Sequence, residues 1–492
     1  MLLLGIDVGT SSIKVSVIDA QTQECLASEQ YPDSEAEIIS PKNGWAEQDP
    51  ETWWQYVQEA ISKAHESGDY DPKDIAAIGI AYQMHGLVLV DKDQHVLRNS
   101  IIWCDSRAVP YGDNAFSAIG EAKCLSCLLN SPGNFTAAKL AWVKENEPEV
   151  FDKIDKMMLP GDFIAMKLTG EINTSVSALS EGILWDFEKE DVSADVMQYF
   201  GFDESIIPTI QPVFSTHGTV TKEVAEKLSL TEGIPVTYKA GDQPNNALSL
   251  NVLEPGEVAA TAGTSGVIYG VSDQLTYDKQ SRVNSFAHVN YSNEQKRIGV
   301  LLCINGTGIM NKWIKNLIGS MISYSSLNES SSYLNPGSDG MFVLPFGNGA
   351  ERMFNNKIVG SHIDNIELNK HKEAHLYRAG QEGIAFAFRY GLDIMRENGM
   401  NPSVIRAGKT NMFLSNVFIE AFVNATNAPV ELHESDGSIG AAIGAGLGAK
   451  IYKNAKEAFK KNKALDLIKP TKSNVYEELY QQWKQVLSRH IQ

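Results

Sequence analysis

Asp7 stands inside the segment Gly5-Ile6-Asp7-Val8-Gly9-Thr10-Ser11-Ser12, and the Gly-Thr-Ser core of that segment returns as Gly263-Thr264-Ser265-Gly266. Small residues let backbone N–H groups approach an anion, and Thr and Ser hydroxyls add further donors. A polyphosphate held between two such turns suits this chemistry. Gly9, Thr10, Ser11, Gly263, Thr264 and Ser265 are therefore the phosphate-binding candidates. The acidic residue has no counterpart in the second copy, where Thr261 takes its place. One carboxylate beside a phosphate turn suggests one Mg²⁺, held at least partly through water, with Asp7 as the metal candidate. The turn is not a Walker loop, because no Gly-Lys-Ser/Thr follows at the required spacing.

A second carboxylate is placed for proton transfer. Ala240-Gly241-Asp242-Gln243 follows a strand-like run at 234–238. Gly241 permits a tight turn, which would present Asp242 at the end of a strand, where α/β proteins build their sites. There it could accept the proton of an attacking hydroxyl during phosphoryl transfer; the competing reading is a cap for a helix at 245–250. Gln83-Met84-His85-Gly86 breaks an apolar stretch and needs hydrogen-bond partners, from a polyhydroxylated ligand or from the protein itself. In Trp103-Cys104-Asp105-Ser106-Arg107 the Asp–Arg pair could be purely structural. Ala407-Gly408-Lys409-Thr410-Asn411 and Gly437-Ser438-Ile439-Gly440-Ala441-Ala442 read as helix starts that allow close approach to a nucleotide. The second, rich in Gly and Ala, suits close helix packing equally well.

These residues need elements to hold them. Each Gly-Thr-Ser turn lies between two apolar strands, and strand-like and helical runs alternate along the chain, which is α/β patterning. Strands are expected at 75–80 and 87–91. Helices are expected at 50–65, with Asp49 as cap and Pro50 in the first turn, and at 379–397 and 411–425. Trp53 and Trp54 belong to the packed face of the first. No linker of biased composition separates the halves, so the repeat sets the division, at 1–252 and 253–492.

With 42 basic and 61 acidic residues the chain carries a net charge of −19, which repels nucleic acid and anionic membranes. Its five cysteines are few and scattered, as in a reducing cytoplasm. Cys124 and Cys127 form a C-x-x-C, but no second ligand pair sits at zinc spacing. No signal peptide and no run of roughly 18 apolar residues is found, so a soluble cytoplasmic protein is expected.

Taken in order, these segments resemble the FGGY-type carbohydrate kinases of the actin, hexokinase and heat-shock ATPase superfamily, and within them most the bacterial xylulokinases. Trp45-Ala46-Glu47-Gln48-Asp49-Pro50, Phe135-Thr136-Ala137-Ala138-Lys139-Leu140-Ala141-Trp142 and Leu159-Pro160-Gly161-Asp162-Phe163 continue the pattern. The resemblance implies two ribonuclease-H-like domains flanking a deep cleft, with sugar mainly on the first and ATP mainly on the second. It implies ATP-dependent phosphorylation of a ketopentose, D-xylulose to D-xylulose 5-phosphate first, with ribulose or glycerol as alternatives. An actin-like or chaperone-like ATPase module is the reading from another class. Asp242 would be the general base and Asp7 the Mg²⁺-associated carboxylate. Met84, His85, Trp103, Asp105 and Gln243 would lie with the sugar, and Ala407, Gly408 and Asn411 with the nucleotide. A homodimer is a family-level expectation. Two departures stand out. Arg406-Ala407-Gly408-Lys409 replaces a run of glycines, so the Ala407 methyl would narrow the approach to adenosine, and Ala350-Glu351-Arg352-Met353-Phe354 only partly matches the family's Gly-Glu-Arg-Thr-Pro segment.

Overall fold

Leu2–Val8 is apolar at nearly every position, as a strand covered on both faces must be. In the computed structural model, which describes residues 1–491, this run is the central strand of a five-stranded sheet. Numbering only the strands of the two main sheets, β1 (Leu2–Val8), β2 (Ile13–Asp19), β3 (Cys25–Tyr31), β4 (Ile75–Tyr82) and β5 (Val236–Gly241) lie in the order β5-β4-β1-β2-β3. β1 pairs antiparallel with β2 and parallel with β4, which is parallel to β5. The second sheet repeats this plan with β6 (Val258–Ala262), β7 (Gly266–Ser272), β8 (Asn284–Ala287), β9 (Ile298–Ile304), β10 (Ile405–Gly408), β11 (Val430–His433) and β12 (Asp466–Ile468). Their order is β8-β9-β7-β6-β10-β11-β12. Here β6 is antiparallel to β7 and parallel to β10, as β1 is to β2 and β4. The fold is mixed α/β with two sheet-bearing domains.

Eight helices matter for the site: α1 (Pro50–Ser67), α2 (Val176–Glu181), α3 (Asp242–Ser249), α4 (Gly308–Gly319), α5 (Tyr324–Ser332), α6 (Glu373–Glu397), α7 (Asn416–Thr426) and α8 (Gly437–Gly448). α1 starts as its sequence predicts, with the Asp49 side chain accepting from Glu51 N and Pro50 at the first position. Its Trp53 and Trp54 are buried against Leu2, Leu4, Ile6 and Val8 on one face of the first sheet. Leu3 points the other way, into a core shared with Ala441, Ala442 and Ala445 of α8. The approach of that helix needs glycine. Gly5 and Gly79 sit side by side in register, and a Cβ on them would lie 1.8 Å from Ser438 O and 2.0 Å from Ala441 O. The Gly/Ala-rich segment is therefore a packing helix.

All strands of the first sheet precede residue 252 and all of the second follow it, but the helices do not respect that division. α8, from the second half of the chain, packs on β1, β4 and β5 of the first sheet. A second seam joins the halves. Ser177 Oγ of α2 donates to Ala287 O (2.8 Å), and Ala287 N donates to Ser180 Oγ (2.9 Å), so first-half residues cover the edge strand β8.

Three expectations need correction. The helix expected at 411–425 is a 3₁₀ turn, Asn411–Leu414, followed by α7; Ser415 breaks the run because its Oγ accepts from Phe418 N as an N-cap. The strand before Asp242 is shifted to Val236–Gly241 and runs directly into the turn. Ala407 lies within β10 and is fully buried in the main core, so its methyl narrows nothing.

Candidate active site

Register brings the chemistry together. Asp7 is level with Ala81, Val8 with Tyr82, and Gly241 with Tyr82, so three parallel strands leave the sheet in one row. The segments that follow them are Gly9-Thr10-Ser11, Gln83-Met84-His85 and Asp242-Gln243. This is the carboxyl end of the strands, where open α/β sheets bind ligands.

Asp242 is the first residue of α3 and Gly241 is its N-cap, so Asp242 does not act as the cap. Its Oδ2 accepts a hydrogen bond from Gln243 Nε2 at 3.2 Å. Burial lifts its pKa to about 6, which leaves an ionised carboxylate able to take up a proton near neutral pH. Gly241 has no room for a side chain, since a Cβ would lie 2.6 Å from Met84 Cγ and 3.1 Å from Glu181 Oε2.

His85 has φ +64°, a left-handed conformation that a non-glycine residue holds only under constraint. The constraint is visible: buried Lys139 donates through Nζ to His85 O at 2.7 Å, and Thr136 Oγ1 does so at 3.3 Å. His85 Nδ1 lies 3.0 Å from Glu181 O. A carbonyl only accepts, so Nδ1 carries the proton and Nε2 presents its lone pair. Burial, reinforced by the Lys139 charge, lowers the ring's pKa to about 3, so the imidazole is neutral. Phe135 of the first half and Phe286 of β8 flank the ring, at centroid distances of 4.8 and 5.5 Å.

Trp103 is half exposed, and its Nε1 donates to Thr10 Oγ1 at 3.0 Å. Thr10 Oγ1 in turn donates to Gln83 Oε1 at 3.2 Å, tying the Gly9-Thr10-Ser11 turn to the Gln83-Met84-His85 segment. Gly9 N closes that turn by donating to Ser12 O (3.1 Å), and Ser11 is exposed. Asp105, expected on the sugar side, is fully buried: it accepts from Ala46 N at 2.6 Å and from both Nε and Nη2 of Arg107. It holds the loop in place and presents no surface to a ligand.

Asp7 is crowded by like charge. Burial, then Asp242 and then Asp436, raise its pKa to about 7. The one lysine that offsets this, Lys14, is paired with Asp436. Asp7 itself has no cationic partner among the described residues, so its carboxylate is available to a hard divalent cation, directly or through water.

The second hairpin borders a cavity of about 570 Å³, within the usual range for small-molecule sites. Gly263, Thr264 and Asn411 line it; Ser265, Ala407 and Gly408 do not. Helix α4 clasps the hairpin, with Gly308 N donating to Gly263 O (2.9 Å) and Ile309 N to Thr264 O (3.1 Å). Sequence reading missed the other walls: Lys312 on α4, Asn328 on α5, and Tyr377 and Gln381 on α6. Ser415 Oγ donates to Gln381 Oε1 (2.8 Å), and Gln381 Nε2 to Asn328 Oδ1 (3.1 Å), forming a polar floor. Tyr377 belongs to the same wall, its hydroxyl buried beside Asn311 and Gln381.

Two family models account for nearly all of the chain. The FGGY family of carbohydrate kinases, N-terminal domain, matches residues 2–249, and the C-terminal domain of the same family matches residues 258–449. The chain belongs to the FGGY family of carbohydrate kinases. Xylulose kinase of Bacillus subtilis (strain 168) is 28% identical over 92% of this FGGY kinase and 90% of the relative. Xylulose kinase of Lactococcus lactis subsp. lactis (strain IL1403) is 30% identical over 98% and 96%. Among solved structures, xylulose kinase from Rhodospirillum rubrum superposes with a TM-score of 0.88 at 24% identity, covering 99% of both chains. Plasmodium falciparum glycerol kinase with ADP gives 0.89 at 20%, covering 99% and 98%. These two share the fold. The protein is thus an ATP-dependent sugar kinase.

Proposed function

We propose that this FGGY kinase transfers the γ-phosphoryl group of ATP to D-xylulose, giving D-xylulose 5-phosphate and ADP. The observation that carries the site assignment is the row formed by Asp7, His85 and Asp242 at one sheet edge; the xylulose kinases among the curated relatives support the substrate. His85 accepts a sugar hydroxyl at Nε2 and, with Met84, orients the ketopentose. Asp242 takes the proton of the attacking hydroxyl as its oxygen bonds to the γ-phosphorus in line and the bond to the ADP oxygen breaks. The two Gly-Thr-Ser hairpins place the polyphosphate. Asp7 would hold Mg²⁺, directly or through water, and the ion when bound would offset phosphate charge. Trp103, through Thr10, links the sugar side to the phosphate turn. Water is a competent acceptor too, so the halves close productively only around sugar. The five cysteines are all free, and no helix among the described residues is long and apolar enough to cross a membrane; we place the enzyme in the cytoplasm.

The test is ADP formation from Mg-ATP with D-xylulose, D-ribulose, glycerol and no sugar in parallel. A rate confined to D-xylulose supports enzyme and substrate together. A rate with ribulose or glycerol alone keeps the mechanism and replaces the substrate. Equal turnover without sugar overturns the sugar site.

A further inference from the structure

One buried carboxyl group beside the catalytic row has no part in the proton transfer or the sugar contacts described above. Glu181 ends helix α2 and is 2% exposed. Its Oε1 accepts from Tyr82 OH at 2.9 Å, while its Oε2 is buried without any hydrogen-bond partner. That unpartnered oxygen sits between the two segments that matter most. It lies 3.9 Å from His85 Nδ1, and it fills the space a Cβ on Gly241 would need, 3.1 Å away. The backbone of the same residue fixes the His85 tautomer through the 3.0 Å contact to Nδ1. Tyr82, its anchor, is the last residue of β4 and is level with Gly241 in the sheet.

We propose that Glu181 is a positioning residue: its carboxyl group, anchored by Tyr82, fixes the spacing between the sugar-binding Met84-His85 segment and the Gly241-Asp242 turn. The proposal rests on Asp242 and His85 having the roles given above. A rigid group at this point is needed because the junction of β5 with α3 meets a segment outside regular secondary structure. The Met84-His85 segment has left the sheet, and Gly241 supplies no side chain for packing. Around the carboxyl stand Tyr82, Asp242, Asp162 and, as the nearest cation, Lys139. Lys139 is committed to His85 O, and no Lys or Arg pairs with Glu181 among the described residues. Burial, with Asp242 adding to it, pushes the Glu181 pKa well above the carboxylate range, so the group is a neutral acid. A neutral amide of the same shape should then serve in its place.

The experiment compares Glu181→Gln, Glu181→Ala and Tyr82→Phe with the native enzyme, using the sugar that the panel identifies. A native enzyme without sugar-dependent ADP formation defeats the kinase reading before any variant is compared. Given native activity, Glu181→Gln is expected to stay within about threefold in kcat/KM for sugar, with its pH profile unmoved. Glu181→Ala is expected to lose about tenfold to a hundredfold in kcat/KM for sugar, while KM for ATP stays within about twofold. Tyr82→Phe should fall between. The proposal is overturned if Glu181→Gln is as impaired as Glu181→Ala, since an ionised carboxylate would then be required. It is equally overturned if Glu181→Ala leaves the sugar kcat/KM intact. Should Glu181→Ala fail to bind nucleotide and so prove unfolded, the other two decide: a selective sugar defect in Tyr82→Phe with near-native Glu181→Gln supports the proposal, and a native Tyr82→Phe ends it.

Discussion

Asp7 and Gly437 meet across the two halves of the chain: a Cβ on Gly437 would lie 2.1 Å from Asp7 Oδ2. With any other residue at the start of α8, the Asp7 carboxylate would have to move from its present place. Gly437→Ala is therefore expected to displace the carboxylate. Mg²⁺ titrations of turnover should show an apparent affinity weakened by about tenfold or more, roughly 1.4 kcal/mol or above.

Asp7 also links stability to pH. Its folded-state pKa, about 7, is raised above the unfolded value of 3.8, so its favourable contribution is complete below about pH 4 and is lost as pH rises through 7. Asp7→Asn removes that loss. Without Mg²⁺ at pH 8, the variant should melt at least about 2 °C above the native protein, and at pH 4 the difference should vanish. Added Mg²⁺ should raise the native Tm and leave the variant unmoved. Turnover of the variant should be lost.

The Asp242 carboxylate, with a pKa of about 6, must be ionised to accept a proton. At saturating Mg²⁺, which keeps Asp7 ionised, the kcat/KM for sugar should rise with pH through about 6 to a plateau. His85, neutral down to about pH 3, adds no second limb there. Asp242→Asn is expected to lower kcat by about 10²–10⁴ while nucleotide binding, followed by fluorescence, is retained. Near-native turnover in this variant would exclude Asp242 as the base.

Tyr377, in the wall of the cavity beside Gly263, predicts a nucleotide contact. Tyr377→Phe should raise KM for ATP by about threefold to tenfold, the value of one hydrogen bond, and leave KM for sugar unchanged. Steady-state kinetics in both substrates separates the two.

What the sequence disclosed, and what it hid, follows from how each residue reaches the site. Asp7 sits at the end of β1, and Gly9, Thr10, His85 and Asp242 follow closely after strands, so a few adjacent residues reveal both the strand end and the chemistry. Lys312, Asn328, Tyr377 and Gln381 come from three helices and converge only after the second sheet forms, with ordinary polar helix positions as their sole local trace. Ala407 misled because a small residue before Gly408 looks the same in a loop as in a central strand. The break at Ser415 was legible in principle, since a serine three residues before Phe418 at the start of an apolar run is a capping signal. Glu181 gave no signal at all: nothing local distinguishes a glutamate that ends buried beneath Gly241.

The seating of α8 on the first sheet has a consequence for how the polypeptide is made. As the ribosome works from the amino end, β1, β4 and β5 emerge long before the helix that covers Leu3, Gly5 and Gly79. Until that helix is made, one face of the first sheet must stay open or be shielded by a chaperone. Severing the chain near residue 252 would leave the first fragment with that face permanently bare, so the first sheet's core is completed only by a contact between segments far apart in the message.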